Sequence, residues 1–314
     1  MKSKLPHVGT TIFSVMSAMA NECNAINLSQ GFPDFTPSEY LLDQLSFHAH
    51  SGKNQYAPMN GIPELRQAIA TLTQECYGRE INPDTEITLA SGATEALFVA
   101  IQAIVNPGDE VILLDPAYDS YAPAVTLAGG HCKHIALLPP SYQADWQQIE
   151  AAVSPKTRLI IVNSPHNPTA TVFNDGDWQA LANLAAKHDL FVISDEVYEH
   201  IVFDQDRNSA HRYPALRDRT FVISSFGKTF HATGWKLGYC IAPPALSAEF
   251  RKIHQFVTFT SFTPAQYAVA DMLNEHSDQV HGLGDFYRDK RDCFVNAMQT
   301  SRFTMLPSAG TYFA

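Results

Sequence analysis

The stretch Ser224-Ser225-Phe226-Gly227-Lys228-Thr229-Phe230-His231-Ala232-Thr233-Gly234-Trp235-Lys236-Leu237-Gly238-Tyr239 decides how this chain is read. The apolar, β-type run Phe221-Val222-Ile223 feeds a turn of small residues that carries one lysine, and a second cation follows eight residues later between two glycines. A lysine at the mouth of a strand, bracketed by Ser225, Gly227 and Thr229, loses its proton readily when burial disfavours the ammonium; the neutral amine then attacks carbonyl carbon. Lys236, on a tight glycine-flanked backbone, suits a phosphate group that must be held while its aldehyde reacts. Ser225 adds a hydroxyl donor three residues before Lys228. The competing reading is a surface lysine after a strand and another in a turn.

Working outward, Ile87-Thr88-Leu89-Ala90 predicts a strand, and Ser91-Gly92-Ala93-Thr94-Glu95 turns it into a helix running through Leu97, Ile101 and Ile104. The backbone N–H groups of Ala93 and Thr94 at such a helix start favour an anion by roughly 0.3 to 1 kcal/mol from the dipole alone. Any strand-to-helix unit can show this pattern; beside Lys228, Ser225 and Lys236 it reads as a phosphate cup. Val111 to Leu114 predicts a buried strand that ends at Asp115-Pro116-Ala117-Tyr118, which brings Tyr118 out at the carboxyl end, where ligands of α/β sheets bind. An aromatic there either stacks on a planar ring or packs in the core.

Leu159 to Asn163 is the next strand and runs into Ser164-Pro165-His166-Asn167-Pro168-Thr169, where two prolines fix the path and present Asn167. An amide held that rigidly can donate to a phenolate oxygen. Leu190-Phe191-Val192-Ile193-Ser194 ends at Asp195, which needs a partner if it is ionised behind so apolar a run. It either faces a cation or caps a following helix. Tyr198 lies one turn further on.

Helices are expected over Thr11 to Glu22, Glu39 to His48, Glu64 to Tyr77 (opened by Gly61 and Pro63), Tyr121 to Ala128, Asp177 to His188, Ser247 to His254, Pro264 to Asn274 and Asp285 to Gln299. Further strands are expected at Ala25 to Leu28, near Lys133 to Leu137, and at Tyr239 to Ala242, the last antiparallel. Alternating strands and helices predict an α/β fold around a mainly parallel, doubly covered sheet. His188 and His254 read as ordinary helix-end residues.

The 314 residues, 45% of them hydrophobic, can bury one large domain and part of a second. With 21 basic and 32 acidic residues the net charge is −11 and no basic run stands out, which disfavours a nucleic-acid surface. The five cysteines, Cys23, Cys76, Cys132, Cys240 and Cys293, are far apart and odd in number, so they read as reduced thiols of a cytoplasmic protein. No apolar stretch predicts a membrane span or a secretory leader, and the thirteen histidines show no metal-ligand spacing. Neither GxxxxGK[ST] nor a GxGxxG turn is present, which argues against a nucleotide-binding protein.

Serine, lysine and cation at these spacings, closed by Gly238-Tyr239, resemble the pyridoxal-phosphate lysine motif of the class I/II aminotransferases, within the kynurenine/glutamine/methionine branch of fold-type I enzymes. The resemblance runs from about Ser3 to the last residue. It implies a fold-type I seven-stranded sheet between helices and pyridoxal 5'-phosphate bound by Lys228. Gly92, Ala93, Thr94, Ser225 and Lys236 then hold the phosphate, Tyr118 stacks on the ring, Asp195 faces the ring nitrogen, and Asn167 and Tyr198 bond the phenolate oxygen. Gly31, in the loop Ser29-Gln30-Gly31-Phe32-Pro33-Asp34-Phe35, becomes a candidate backbone contact for the substrate carboxylate, and Tyr56 is expected to reach the cofactor phosphate of a neighbouring subunit in a homodimer.

Three departures stand out: Lys236 where many relatives carry arginine, which gives up a bidentate phosphate grip, and Ser164 and Ala170 within the Asn167 motif. The substrates implied are an amino acid, with methionine or aromatic donors favoured, and a 2-oxo acid. Elimination from cysteine S-conjugates, or cofactor binding without turnover, are the alternatives. The implied organisation is an arm and substrate loop at 1–36, a large cofactor-binding domain at 37–280 and the beginning of a smaller domain at 281–314. Met305 to Ala314 reads as a turn into an apolar β-type run, where relatives continue through the rest of a small domain bearing the arginine for the substrate carboxylate. Either a truncated chain or a different mode of substrate binding is therefore expected, and no residue here is assigned that role.

Overall fold

The computed structural model describes every residue except Met1, His7, Gln30, Phe32 and Asp34. Its strands are β1 (Ile87–Ala90), β2 (Glu110–Asp115), β3 (His131–Ala136), β4 (Thr157–Asn163), β5 (Phe191–Asp195), β6 (Thr220–Ser225) and β7 (Gly238–Ile241). The helices are α1 (Ile12–Glu22), α2 (Glu39–His50), α3 (Pro63–Tyr77), α4 (Ala93–Ile104), α5 (Tyr121–Leu127), α6 (Trp146–Ala151), α7 (Asp175–His188), α8 (Pro214–Arg217), α9 (Phe226–Thr229), α10 (Pro244–Val257), α11 (Thr263–Glu275), α12 (Ser277–His281) and α13 (Leu283–Met298). Local chemistry sets several boundaries. The Thr11 side chain caps α1, Pro63 opens α3 and left-handed Gly78 closes it, and Asn174 with Asp177 forms a reciprocal capping box at the start of α7.

All seven strands form one sheet in the order β1-β7-β6-β5-β4-β2-β3. Every pairing is parallel except those of β7, which runs against both β1 and β6. The two-residue period of a strand divides the apolar runs between two cores. Val111, Leu113, Leu159, Ile161, Ile193, Phe221 and Ile223 face one side with α4, α5 and α10, whereas Ile112, Leu114, Ile160, Val162, Val192 and Val222 meet α6, α7 and α8 on the other. A third cluster joins α2, α3 and α11 to β1 and β7, and a fourth sets Leu283 and Tyr287 of α13 against Tyr198, Ile201 and Phe203.

Two expected strands do not form. Ala25 to Leu28 pairs with no other segment, and its exposed Ile26 and Leu28 meet nothing that would reward a ladder. Gly310 makes one isolated bridge to Val202, and Tyr312 and Phe313 turn inward onto Tyr198 instead of extending a sheet. Asp195 is followed by a turn and not by a helix to cap. His188 ends α7 and His254 lies in the last turn of α10, where it is wholly buried between Glu95 (2.9 Å) and the Met59 carbonyl (3.1 Å).

Candidate active site

Because β7 is antiparallel to β1 and β6, the carboxyl ends of β1, β2, β4, β5 and β6 all open on the same edge of the sheet, and β7 begins there. That edge gathers most of the residues singled out from the sequence. Gly31, Gly92, Ala93, Thr94, Tyr118, Asn167, Asp195, Tyr198, Ser225, Lys228 and Lys236 all line one cavity. Tyr56 does not. It is exposed, with its ring edge-on to Phe259 at 5.5 Å. Phe32, in the same loop as Gly31, lies outside the described residues.

Asp195 ends β5 on the same face as Ile193, which is the face α5 covers, and there the Tyr121 hydroxyl donates to its carboxylate at 2.5 Å. Asp195 is 4% exposed, and burial raises its pKa to about 6 despite that donor and the nearby Lys228. The carboxylate is thus short of a counter-charge. Asn163, at the end of neighbouring β4, donates its side-chain N–H to the Asp195 carbonyl (2.8 Å) and accepts the Asn167 backbone N–H (2.7 Å). One side chain thereby ties the Asn167 turn to the Asp195 strand end.

Lys228 sits in the short helix α9, where a Cβ at Gly227 would lie 3.0 Å from Thr233 Cα and 3.4 Å from the Ala232 carbonyl, so a glycine lets the chain fold back closely beside the lysine. Its Nζ lies 3.4 Å from the Gly31 carbonyl and 5.7 Å from the ring centres of both Tyr198 and Tyr312. Burial first, then the cation of Lys236, lowers its pKa to about 8, while Asp195 pulls the other way. At that pKa about a tenth of the amine is neutral at pH 7, a few hundred times the share of an ordinary lysine, and that fraction is the nucleophile.

The cup at the start of α4 is built from two glycines. Gly92 has φ +79°, and a Cβ there would lie 3.3 Å from Lys236 Cε and 3.4 Å from its Nζ, so the missing side chain is what lets the lysine lie across the turn. A Cβ on Gly238 would come within 2.6 Å of the Ser224 carbonyl and 3.0 Å of the Ala93 nitrogen, which lets β7 close on the cup. No side chain caps the first turn of α4, leaving its leading N–H groups for an anion beside Lys236. Across the cavity, the Thr94 and Tyr118 hydroxyls are 3.3 Å apart.

The donor set suits a flat, phosphate-bearing aldehyde. It offers a cation with a helix start and a hydroxyl at one end, an amine of depressed basicity between, an aromatic wall, and an under-compensated buried carboxylate that a protonated ring nitrogen would neutralise. Sequence reading missed Tyr121, Asn163 and Tyr312. An asparagine closing an apolar strand was a usable signal, but the reach of two tyrosines across the fold was not.

Residues 24–314 match the family model described as aminotransferase class I and II, and the chain belongs to that family. It has the fold-type I architecture of those enzymes and is an aminotransferase, acting on amino and oxo acids. Its relatives include the Escherichia coli methionine aminotransferase, 55% identical over 99% of this chain and 81% of that protein. A solved structure of an Escherichia coli methionine aminotransferase superposes with a TM-score of 0.97 at 55% identity, covering 99% of this chain and 82% of the other. The probable N-succinyldiaminopimelate aminotransferase of Mycobacterium tuberculosis is 39% identical over 99% of this chain and 79% of its own length. Among the described residues no helix is long and apolar enough to cross a membrane.

Proposed function

We propose that this aminotransferase uses pyridoxal 5'-phosphate and takes its amino group from methionine or an aromatic amino acid, passing it to a 2-oxo acid in a ping-pong cycle. The observation that carries the proposal is the pairing, in one cavity, of the Lys228 amine lowered to about pKa 8 with the buried, under-compensated Asp195. When bound, the cofactor supplies the carbonyl that accepts the amino group and the ring that withdraws electrons from the reacting carbon. Lys228 Nζ is the base that takes the proton from the amino acid's α-carbon and would hand it to the carbon that carried the cofactor's aldehyde. Asp195 would hold a proton on the ring nitrogen, Tyr118 would pack on the ring, and Asn167 and Tyr198 would hold its phenolate oxygen. Gly92, Ala93, Thr94, Ser225 and Lys236 hold the phosphate, and Gly31 takes the substrate carboxylate.

The apolar side of the cavity, with Phe13, Leu97, Val197 and Phe313, favours an uncharged donor side chain, as does the name of the 55%-identical Escherichia coli relative. The exposed apolar residues Ile26, Leu28, Tyr56, Phe256 and Phe262 support a homodimer in which Tyr56 reaches the neighbouring subunit's phosphate. The division into a large domain at 37–280 and the beginning of a smaller one at 281–314 goes with this reading, with Leu283 and Tyr287 of α13 packed on Tyr198, Ile201 and Phe203 across that boundary. Five free cysteines support a cytoplasmic location.

The test is the visible spectrum of the cofactor-loaded protein before and after L-methionine, with no oxo acid present. The expected result is loss of the cofactor's visible band as its amino form accumulates. A band that stays unmoved by both L-methionine and L-phenylalanine refutes the assignment of donors.

A further inference from the structure

Residues 309–313 are held to the body of the fold through the backbone. Ala309 and Gly310 both donate to the Ala170 carbonyl (2.9 and 3.1 Å), Phe203 donates to the Ala309 carbonyl (2.8 Å) and Thr311 to that of Ile201 (2.9 Å). From this base Tyr312 reaches the opposite wall of the cavity, where its hydroxyl donates to the Gly31 carbonyl at 2.7 Å. Its ring stands edge-on to Tyr198 at 5.3 Å and leans on Tyr287 at 5.6 Å. A Cβ at Gly31 would fall 2.7 Å from the rings of Tyr312 and Phe313, so the contact requires glycine there.

The Gly31 carbonyl has two donors, the Tyr312 hydroxyl at 2.7 Å and Lys228 Nζ at 3.4 Å, and the second is at the limit of a hydrogen bond. An amine that must carry protons cannot also serve as a fixed anchor, whereas a phenol on a backbone-pinned segment can. Burial holds the Tyr312 hydroxyl above its usual pKa range, so it stays protonated and donating when Lys228 titrates.

We propose that Tyr312 is a positioning residue whose hydroxyl latches Gly31 against the Tyr198 wall, keeping that segment in place when the Lys228 amine turns away from it. The consequence for substrate binding rests on the transamination proposed above; the latch itself does not.

Tyr312→Phe keeps the ring and removes the donor. In hydrogen exchange on the cofactor-free protein, the peptide containing Gly31 is expected to exchange roughly 2- to 12-fold faster, the worth of one net hydrogen bond, while β5 and α4 are unchanged. In the loaded enzyme, KM for the amino acid rises by a similar factor with kcat within about twofold, a split that general loosening would not produce. Unchanged exchange at Gly31, faster exchange spread evenly over the chain, or a fall in kcat at constant KM overturns the latch. If the unaltered enzyme transaminates neither methionine nor phenylalanine, the proposed function fails while the exchange result still decides the latch.

Discussion

Replacing Asp195 by asparagine separates what the fold gains from this residue and what the chemistry gains from it. The carboxylate is buried and its pKa rises from 3.8 to about 6, so in the cofactor-free protein its ionised form destabilises the native state. The sign follows from linkage: below about pH 4 the group is neutral folded and unfolded and costs nothing, the cost grows between the two pKa values, and above about pH 6 it is complete. A shift of that size amounts to about 3 kcal/mol, of which about 2 kcal/mol appears between about pH 4.5 and about pH 8. Asparagine still accepts from Tyr121 and needs no counter-charge. The cofactor-free Asp195→Asn protein should therefore gain about 2 kcal/mol relative to wild type on going from the lower pH to the higher, read by urea unfolding at each. The same variant should lose about 10²- to 10³-fold in kcat/KM, because the group opposite the ring nitrogen no longer carries charge. A stability difference that does not change with pH would show that the carboxylate is not short of a partner, and the argument for a cationic ring nitrogen beside it would fall.

Two other predictions follow from the same geometry. Lys236→Met removes the cation that helps depress Lys228, so the midpoint for reductive methylation of residue 228, about pH 8 in the cofactor-free wild type, should move up; an unchanged or lower midpoint counts against the proximity of the two amines. Trp178 is fully buried, stacked on Tyr213 at 5.9 Å and met edge-on by Phe173 at 5.5 Å; Trp178→Ala should cost about 3 to 5 kcal/mol in urea unfolding without altering the donor preference.

The sheet was legible because its strands are buried on both faces and read as unbroken apolar runs between turn formers, as in Val111 to Leu114 and Leu159 to Val162. The cavity residues were legible for a related reason: Asp195, Asn167, Tyr118 and Lys228 all follow such runs at the carboxyl end. Where the reading failed, the deciding contact was distant. Ala25 to Leu28 has strand composition but no edge to pair with. The short helix α6 buries only Ile149, too little for a helical period, and only Asp145, which caps its first turn, announced it. Tyr121 and Tyr312 look like core aromatics in sequence and acquire their roles only when the fold brings Asp195 and Gly31 within reach of their hydroxyls.

The reversed strand β7 has a consequence for the order in which the molecule is made. β1 lies at the edge of the sheet and pairs with β7 alone, Ile87 opposite Ile241, with β2 through β6 between them along the chain. During vectorial synthesis the five intervening strands, β2 through β6, can assemble while β1 and the Gly92 cup behind it still wait for a neighbour. The anion cup is therefore among the last parts of the sheet to be secured. A phosphate-bearing ligand therefore meets a complete cup only after β7 is in place, and its binding seals a finished sheet instead of templating a partial one.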